Sequence, residues 1–194
     1  MSECPVKLLQ DPSELSDLLH MFRKLKPERV LEVGSLYGGT LWCWINNMAT
    51  GGLVVSVDMI ANNKIHKQGD ILDDRKLWAG WAETAKVELI TLIGNSGKTT
   101  IIQSVEEYSP FDFIFIDGGH EYKTANNNYE IYWPMLRKGG IMAFHDIGSS
   151  DENVNNIDVG RWWRDMRQMH RFEGKVIDIV ARQGRWGIGV LIKS

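Results

Sequence analysis

The sequence predicts an α/β protein with a doubly wound, mixed sheet of seven strands. Short apolar runs alternate with segments of helical periodicity, and this alternation is typical of a parallel sheet with helices on both faces. The last two runs have only a glycine-containing turn between them, so they must pair antiparallel. We therefore expect a mostly parallel sheet with one antiparallel strand in a C-terminal β-hairpin.

The predicted strands are apolar runs bounded by glycine or polar residues, which is the usual pattern of short buried strands. LVVSV, for example, is apolar at nearly every position, as a strand covered on both faces is. In chain order the predicted strands are Val30–Val33, Leu53–Val57, Val87–Ile93, Asp112–Ile116, Ile141–Phe144, Lys175–Ala181 and Trp186–Lys193.

The predicted helices lie between these strands, with one more before them. Asp11-Pro12-Ser13 is typical of a helix cap, and the ELSDLLHMFRKL that follows places its leucines and Phe22 on one face. The other predicted helices are Gly39–Met48, Leu72–Thr84, Lys98–Glu107, Tyr122–Leu136 and Asp158–His170.

The totals are those of an ordinary globular protein. A length of 194 residues predicts one domain over 1–194, with a helical segment at 1–27 before the core at 28–194. The net charge of −3 gives no strong signal for nucleic-acid binding. Cys4 and Cys43 cannot build a disulfide framework. No signal peptide or apolar membrane span is evident, so a cytoplasmic location is expected.

A glycine turn follows the first strand, at Gly34-Ser35-Leu36-Tyr37-Gly38. Glycine lets the backbone approach a ligand closely, and the helix that follows offers unpaired N–H groups. Asp58 ends the second strand, where an acid can accept both hydroxyls of a ribose. The pair indicates a nucleoside-cofactor site; the alternative is a packing turn with Asp58 as a helix cap. Leu36 replaces the second glycine of the dinucleotide fingerprint, which disfavours a nicotinamide or flavin cofactor.

The segment Gly94-Asn95-Ser96-Gly97-Lys98-Thr99 resembles a phosphate-binding loop but is too short for one. We do not expect nucleotide hydrolysis. Asn95 and Ser96 follow the third strand, and we expect them to border the base of a nucleoside cofactor.

Acid and histidine residues follow two further strands. Asp117-Gly118-Gly119-His120 comes after the fourth strand and His145-Asp146 after the fifth. In an open parallel sheet, ligands bind beyond the carboxyl ends of the strands. These residues therefore predict an acid/base or metal cluster, with helix caps and strand-end hydrogen bonds as the alternative.

Five motifs together resemble those of class I S-adenosylmethionine-dependent methyltransferases. They are LEVGSLYGGT, VVSVD, GNSG, FDFIFIDGGHEY and KGGIMAFHD. More narrowly, the chain from Val30 onward is similar to the small-molecule O-methyltransferases that include the cephalosporin-hydroxylase-like and the macrocin or sugar O-methyltransferase-like proteins. The resemblance implies a Rossmann-like catalytic core over 28–194, with a seven-stranded sheet that has one reversed strand.

The resemblance also implies roles for single residues. Glu32 would lie near the amino group of S-adenosylmethionine, Asp58 at its ribose, and Asp117 near its sulfonium. Asn95 and Ser96 would lie at the adenine. The full cofactor-binding set implied is Glu32, Gly34, Ser35, Tyr37, Gly38, Asp58, Asn95, Ser96 and Asp117.

In metal-dependent relatives, acids at these strand ends hold a magnesium ion, which implies a metal set of Asp117, His145 and Asp146. Magnesium prefers oxygen ligands, whereas the imidazole of His145 suits manganese or another transition metal; a site without metal is the third option. The implied catalytic residues are His120, Asp117 and His145. We favour His120 as the general base, since histidine has a suitable pKa near neutrality.

We expect O-methylation of a small hydroxylated molecule, such as a sugar or a natural product. Alternatives are methylation of nucleic acid or protein and a non-catalytic S-adenosylmethionine-binding protein. Trp162 and Trp163 are adjacent on a helix and cannot both point inward, so one of them could form a platform for the acceptor. A homo-oligomer is one way for so short a chain to close its site.

Overall fold

The computed structural model describes residues 4–60, 68–148, 157–170, 174–181 and 186–194. Its strands are β1 (Arg29–Val33), β2 (Leu53–Asp58), β3 (Glu88–Ile93), β4 (Phe111–Ile116), β5 (Leu136–His145), β6 (Gly174–Ile179) and β7 (Ile188–Lys193). Its helices are α1 (Pro12–Leu25), α2 (Gly39–Asn47), α3 (Gln68–Ala85), α4 (Thr99–Glu106), α5 (Tyr122–Tyr132) and α6 (Val159–His170). Over the described ranges, none of these helices combines the length and apolarity that a bilayer crossing requires.

The strands form one seven-stranded sheet in the order β3-β2-β1-β4-β5-β7-β6. Neighbours from β3 to β5 are parallel, and β7 is antiparallel to both β5 and β6. The predicted mixed sheet with one reversed strand is therefore confirmed. The strand order reverses between β1 and β4, and the carboxyl ends of the strands at such a switch point form the usual ligand crevice.

The predicted helix Tyr122–Leu136 was too long at its C-terminal end. α5 ends at Tyr132, and β5 begins at Leu136, which pairs with Phe111. Pro134 explains the difference, because proline lacks the N–H of a helix interior and restricts the residue before it. The chain after Tyr132 therefore leaves the helix and turns directly into β5.

The expectation that Trp162 and Trp163 cannot both point inward was wrong. Their exposed fractions are only 1% and 3%. Trp162 packs on Phe144, with ring centroids 4.4 Å apart, while Trp163 lies over Gly189, where a Cβ would come within 2.5 Å of the indole. α6 packs on a broad sheet, so two adjacent indoles can point to either side of the line along which the helix contacts the sheet and still both be buried. Both indoles are core, and neither is available as a platform.

Glu14 joins α1 to the C-terminal hairpin. Its carboxylate is buried, and its two oxygens accept hydrogen bonds from the backbone N–H groups of Ala181 (2.9 Å) and Gly187 (3.0 Å). These amides border the connection between β6 and β7, so one side chain holds the first helix against the last two strands.

Glu14→Ala should lower the free energy of unfolding by about 2–6 kcal/mol, because it leaves two backbone donors without their acceptor at about 1–3 kcal/mol each. Asp17→Ala, on the exposed face of the same helix, is the matched control and should change it by less than about 0.5 kcal/mol. Urea denaturation followed by circular dichroism measures both. Equal effects of the two substitutions would contradict the proposed anchoring role of Glu14.

Candidate active site

The carboxyl ends of β1, β4 and β5 meet at a cavity of about 550 Å³. Gly34 has φ +94°, and a Cβ at this position would lie 2.4 Å from the carbonyl oxygen of Asp117. Only glycine therefore allows β1 and β4 to end so close together. The residues that line the cavity are Lys7, Leu9, Gln10, Gly34, Ser35, Leu36, Tyr37, Gly39, Thr40, Asp117, His120, His145, Asp146, Ile157 and Trp186.

The glycine turn is held by side chains from neighbouring strands. Leu36 takes a left-handed conformation with φ +47°, and its N–H donates to Asp58 Oδ2 at 2.6 Å. The Ser35 and Ser56 hydroxyls share a buried hydrogen bond of 2.7 Å. Asp58 does not line the cavity itself, but it contacts Leu36, which does. Whether it binds a ribose stays a prediction.

Glu32 is completely buried at the base of the turn. Thr40, which lines the cavity, donates a hydrogen bond to its Oε1, while Oε2 has no partner among the described residues. Burial raises the pKa of Glu32 well above its usual range, and the nearby charges of Asp117 and Asp58 raise it further. A buried carboxyl in this state favours a proton or a cationic partner.

The predicted acids and histidines of β4 and β5 come together as one cluster. His120 Nδ1 lies 2.5 Å from Asp146 Oδ2, and His145 Nδ1 lies 3.1 Å from Asp117 Oδ1 and 3.2 Å from Asp146 Oδ1. His120 is half-exposed, whereas His145 and Asp146 are buried. The cluster thus contains two carboxylates with an imidazole at its edge and another between them.

The hydrogen bond to Asp146 raises the pKa of His120, against the opposing effect of burial. Burial also opposes protonation of His145, but the charges and hydrogen bonds of Asp117 and Asp146 raise its pKa well above the usual range. Burial would raise the pKa of Asp146, yet hydrogen bonds to the two histidines hold it far below normal. Near neutral pH the cluster therefore holds ionised Asp146 beside at least one imidazolium.

The predicted metal set of Asp117, His145 and Asp146 lies together, but the ligand atoms favour a different third member. One ligand atom each from Asp117, His120 and Asp146 lie within 4.8 Å of one another. The Nδ1 of His145 is engaged by both acids, and its Nε2 is buried without a partner among the described residues. His145 is better placed to orient the two acids than to join them as a ligand.

Sequence reasoning missed the N-terminal segment, which forms one wall of the cavity. The Nε2 of Gln10 donates to Asp117 Oδ2 at 2.6 Å, across 107 positions of the chain. Opposite it, Trp186 stacks on His145 with ring centroids 6.3 Å apart and planes 26° apart. Neither contact has a local signal in the sequence, since each joins segments far apart in the chain.

Asn95 and Ser96 do not line the cavity. The hydroxyl of Ser96 donates to Asn128 Oδ1 at 2.8 Å, and Asn95 Oδ1 accepts from the N–H of Gly97 at 2.8 Å. The hydroxyl of Tyr132 donates to the carbonyl of Ser96. These bonds shape the end of β3, and an adenine contact by either residue stays a prediction.

A family described as "Methyltransferase domain" matches residues 31–147. Among curated proteins, the chain is 24% identical over 142 residues to a Dictyostelium discoideum protein named probable caffeoyl-CoA O-methyltransferase 3, covering 72% of this chain and 52% of that protein. It is 20% identical over 142 residues to an uncharacterized protein of Sinorhizobium fredii, covering 73% of this chain and 15% of that protein. The chain thus spans about half or less of the length of these two relatives.

Solved structures share the fold at low identity. An O-methyltransferase from Bacillus cereus, in complex with SAH, has a TM-score of 0.66 at 19% identity, with 99% of this chain and 86% of that chain covered. The O-methyltransferase TomG from Streptomyces achromogenes, involved in tomaymycin synthesis and in complex with SAM, has a TM-score of 0.67 at 17% identity, with 98% and 83% covered. At these identities the likeness establishes the fold.

His120→Gln should destabilise the metal-free protein more at about pH 5.5 than at about pH 9.5. Asp146 raises the pKa of folded His120 above its unfolded value of about 6.5. The protonated pair therefore stabilises the fold fully below that value, and its contribution disappears as the pH rises through the raised folded pKa. Urea denaturation in a chelator at both pH values measures the difference.

The same substitution in an Asp146→Asn background is the control for this pH dependence. The difference between the two pH values should shrink there, because the carboxylate that faces the imidazole is gone. An undiminished difference would mean that His120 does not derive its stability from Asp146.

Proposed function

This chain belongs to the methyltransferase domain family, and from that premise we propose that it is an S-adenosylmethionine-dependent O-methyltransferase of a small hydroxylated molecule. The observation that carries the proposal is the ring of carboxyl groups around the glycine turn and its cavity. The charge of Asp117 raises the pKa of both Glu32 and Asp58, and the charge of Asp58 raises the pKa of Glu32 as well. Such a site suits a cofactor with an ammonium and a sulfonium, and it disfavours the anionic pyrophosphate of a dinucleotide.

The residues present fit the cofactor. The unpartnered Oε2 of Glu32 would interact with the ammonium group, directly or through water, and Asp58 would accept the ribose hydroxyls. Asp117 would lie at the sulfonium end, beside the close approach of Gly34. When bound, S-adenosylmethionine supplies an electrophilic methyl group on a good leaving group.

The acceptor end of the cavity supports a small-molecule substrate, such as a sugar or a natural product. Leu9, Ile157 and Trp186 line it with apolar surface, while His120 and the two acids supply polar groups. An apolar wall with few polar groups is the usual build of a small-molecule site. Positioning of the acceptor oxygen by these walls would supply much of the rate enhancement.

His120 is the proposed general base. If its Nδ1 carries the proton shared with Asp146, the other ring nitrogen accepts a proton from the acceptor hydroxyl. Asp146 also raises the pKa of His120, so the neutral, proton-accepting form increases as the pH rises through that raised value. The reaction should therefore be faster on the alkaline side of neutrality.

A divalent metal is the alternative use of the same side chains. Asp117, His120 and Asp146 would hold it, and it would lower the pKa of the acceptor hydroxyl as a Lewis acid. The mixed imidazole and carboxylate set fits Mn²⁺ better than Mg²⁺. In that case His120 is a ligand and cannot also be the base.

A second candidate is a non-catalytic S-adenosylmethionine-binding protein. One observation favours it: Gln10 occupies an oxygen of Asp117 that a metal or acceptor would otherwise reach. Methylation of nucleic acid is disfavoured by the net charge of −3. Cofactor binding without methyl transfer to any hydroxylated acceptor would support the non-catalytic candidate.

S-adenosylhomocysteine should bind saturably to the purified protein in calorimetric titration. Asp58→Asn should weaken that binding by about 10-fold or more, since the loss of a charged hydrogen-bond acceptor is worth about 1.5–3 kcal/mol. Asp73→Asn, which removes an exposed acid of α3, is the control and should leave the affinity unchanged. Absence of binding by the unmodified protein would refute the proposed cofactor.

Mn²⁺ binding, followed by electron paramagnetic resonance, tests the metal set without any acceptor. His120→Gln and Asp117→Asn should each weaken Mn²⁺ affinity by about 10-fold or more, because each removes a ligand. His20→Gln, exposed on α1, is the control. Unchanged affinity in both site variants would exclude the set Asp117, His120 and Asp146.

A further inference from the structure

We propose that Arg75 on α3 is a positioning residue for the nucleoside part of the cofactor. It holds Asp58 and, through it, the glycine turn in the shape that binds ribose. The inference rests on the proposed function, because its ligand is S-adenosylmethionine or S-adenosylhomocysteine. No local motif of the sequence includes Arg75, and none of the predicted site residues lies on α3.

Arg75 shares one oxygen of Asp58 with the glycine turn. Its Nη2 lies 2.8 Å from Asp58 Oδ2, and the N–H of Leu36 donates to the same oxygen at 2.6 Å. The side chains of Arg75 and Asp58 are only 12% and 17% exposed, so this is a largely desolvated ion pair. The N–H of Met59 is a further donor to this carboxylate, and the hydroxyls of a ribose would complete its contacts.

The hydrogen bond from Leu36 joins this ion pair to the cavity. The left-handed region is unfavourable for a non-glycine residue, and Leu36 has φ +47°. Asp58 stabilises that conformation by accepting the Leu36 N–H, and Arg75 fixes the orientation of the Asp58 carboxylate. Since Leu36 lines the cavity, the position of Arg75 is transmitted to the ligand site through two contacts.

Trp78, one helical turn after Arg75, supports the other half of the glycine turn. Its indole N–H donates to the carbonyl of Tyr37 at 3.1 Å, and a Cβ on Gly38 would lie 2.3 Å from the indole nitrogen. The Arg75 guanidinium lies 5.1 Å from the centroid of the Trp78 ring, within the range of a cation–π contact. The two side chains of α3 thus act together on the turn.

The Nε of Arg75 is buried and has no hydrogen-bond partner among the described residues. A buried donor without an acceptor is unfavourable, and the nucleoside carries several oxygen and nitrogen acceptors that could satisfy it.

The positive charge of Arg75 also affects the protonation of Asp58. Burial raises the pKa of Asp58, and the charge of Arg75 and the N–H of Leu36 oppose that rise. Without Arg75, the carboxyl would move toward its neutral form, which accepts hydrogen bonds from hydroxyl groups less well. Arg75 therefore favours the ionised form of Asp58, together with the N–H of Leu36.

Calorimetric titration with S-adenosylhomocysteine, in the presence of a chelator, tests the proposal. Arg75→Gln should weaken binding by about 10-fold, which is about 1.4 kcal/mol. Arg75→Lys keeps the charge but not the planar fork, and it should give an intermediate loss. Lys76→Gln is the matched control, because it removes the same charge from the next residue of α3, which is exposed and pairs with Asp73.

Two further readouts separate positioning from general stability. In an Asp58→Asn background, Arg75→Gln should cost less than about 2-fold, because its effect passes through Asp58. Unmodified protein should prefer S-adenosylhomocysteine to its 2′-deoxy analogue, and Arg75→Gln should lose most of that preference. A purely structural role would lower both affinities equally.

Each outcome decides between the two proposals. If the unmodified protein does not bind S-adenosylhomocysteine, the proposed function fails and this inference fails with it. If the unmodified protein binds S-adenosylhomocysteine and the affinity of Arg75→Gln is within about 2-fold of that of the unmodified protein, only the role of Arg75 is overturned. The same holds if Arg75→Gln lowers the affinity equally in the unmodified and the Asp58→Asn backgrounds. Should Arg75→Gln not fold, Arg75→Lys decides: affinity and ribose preference equal to those of the unmodified protein would overturn the proposal.

Discussion

Glu32, Asp58, Asp117 and Asp146 meet at the carboxyl end of one parallel sheet, where burial makes the negative charge of Glu32 and of Asp58 unfavourable. Glu32 lies one residue before the end of β1, Asp58 ends β2, and Asp117 and Asp146 follow β4 and β5, around the point where the strand order reverses. The contacts of the two histidines with Asp146 and of Arg75 with Asp58 place positive or protonatable groups beside these acids. A site of this kind requires positive charge, from the protein or from a ligand.

The protein supplies part of that charge from side chains on different elements. His120 and His145 face Asp146, and Arg75 faces Asp58. Glu32 has only the hydroxyl of Thr40 on one oxygen and no described partner on the other. The charge left uncompensated lies closest to the glycine turn, which is where a cationic cofactor is proposed to bind.

The two ends of the chain complete the site. Gln10 reaches Asp117 from the segment before α1, and Trp186 stacks on His145 from the turn before β7. Glu14 of α1 accepts hydrogen bonds from the backbone on both sides of that turn. The segment with Gln10 and the turn with Trp186 are therefore connected through α1. These contacts, which lie outside the strands that carry the acids, thus help to set the width of the cavity.

The sequence by itself determined the strand order along the chain, the reversed last strand, the glycine turn and the acids at the strand ends. These features depend on local periodicity, turn length and residue type, which a linear pattern contains. Only the tertiary structure showed that Trp162 and Trp163 are both buried, and that ligand atoms of His120, Asp117 and Asp146 lie close together. The ion pair between Arg75 and Asp58 is likewise visible only in the tertiary structure. Such contacts join residues that are distant in sequence or depend on how a helix lies on the sheet, and no local pattern encodes either.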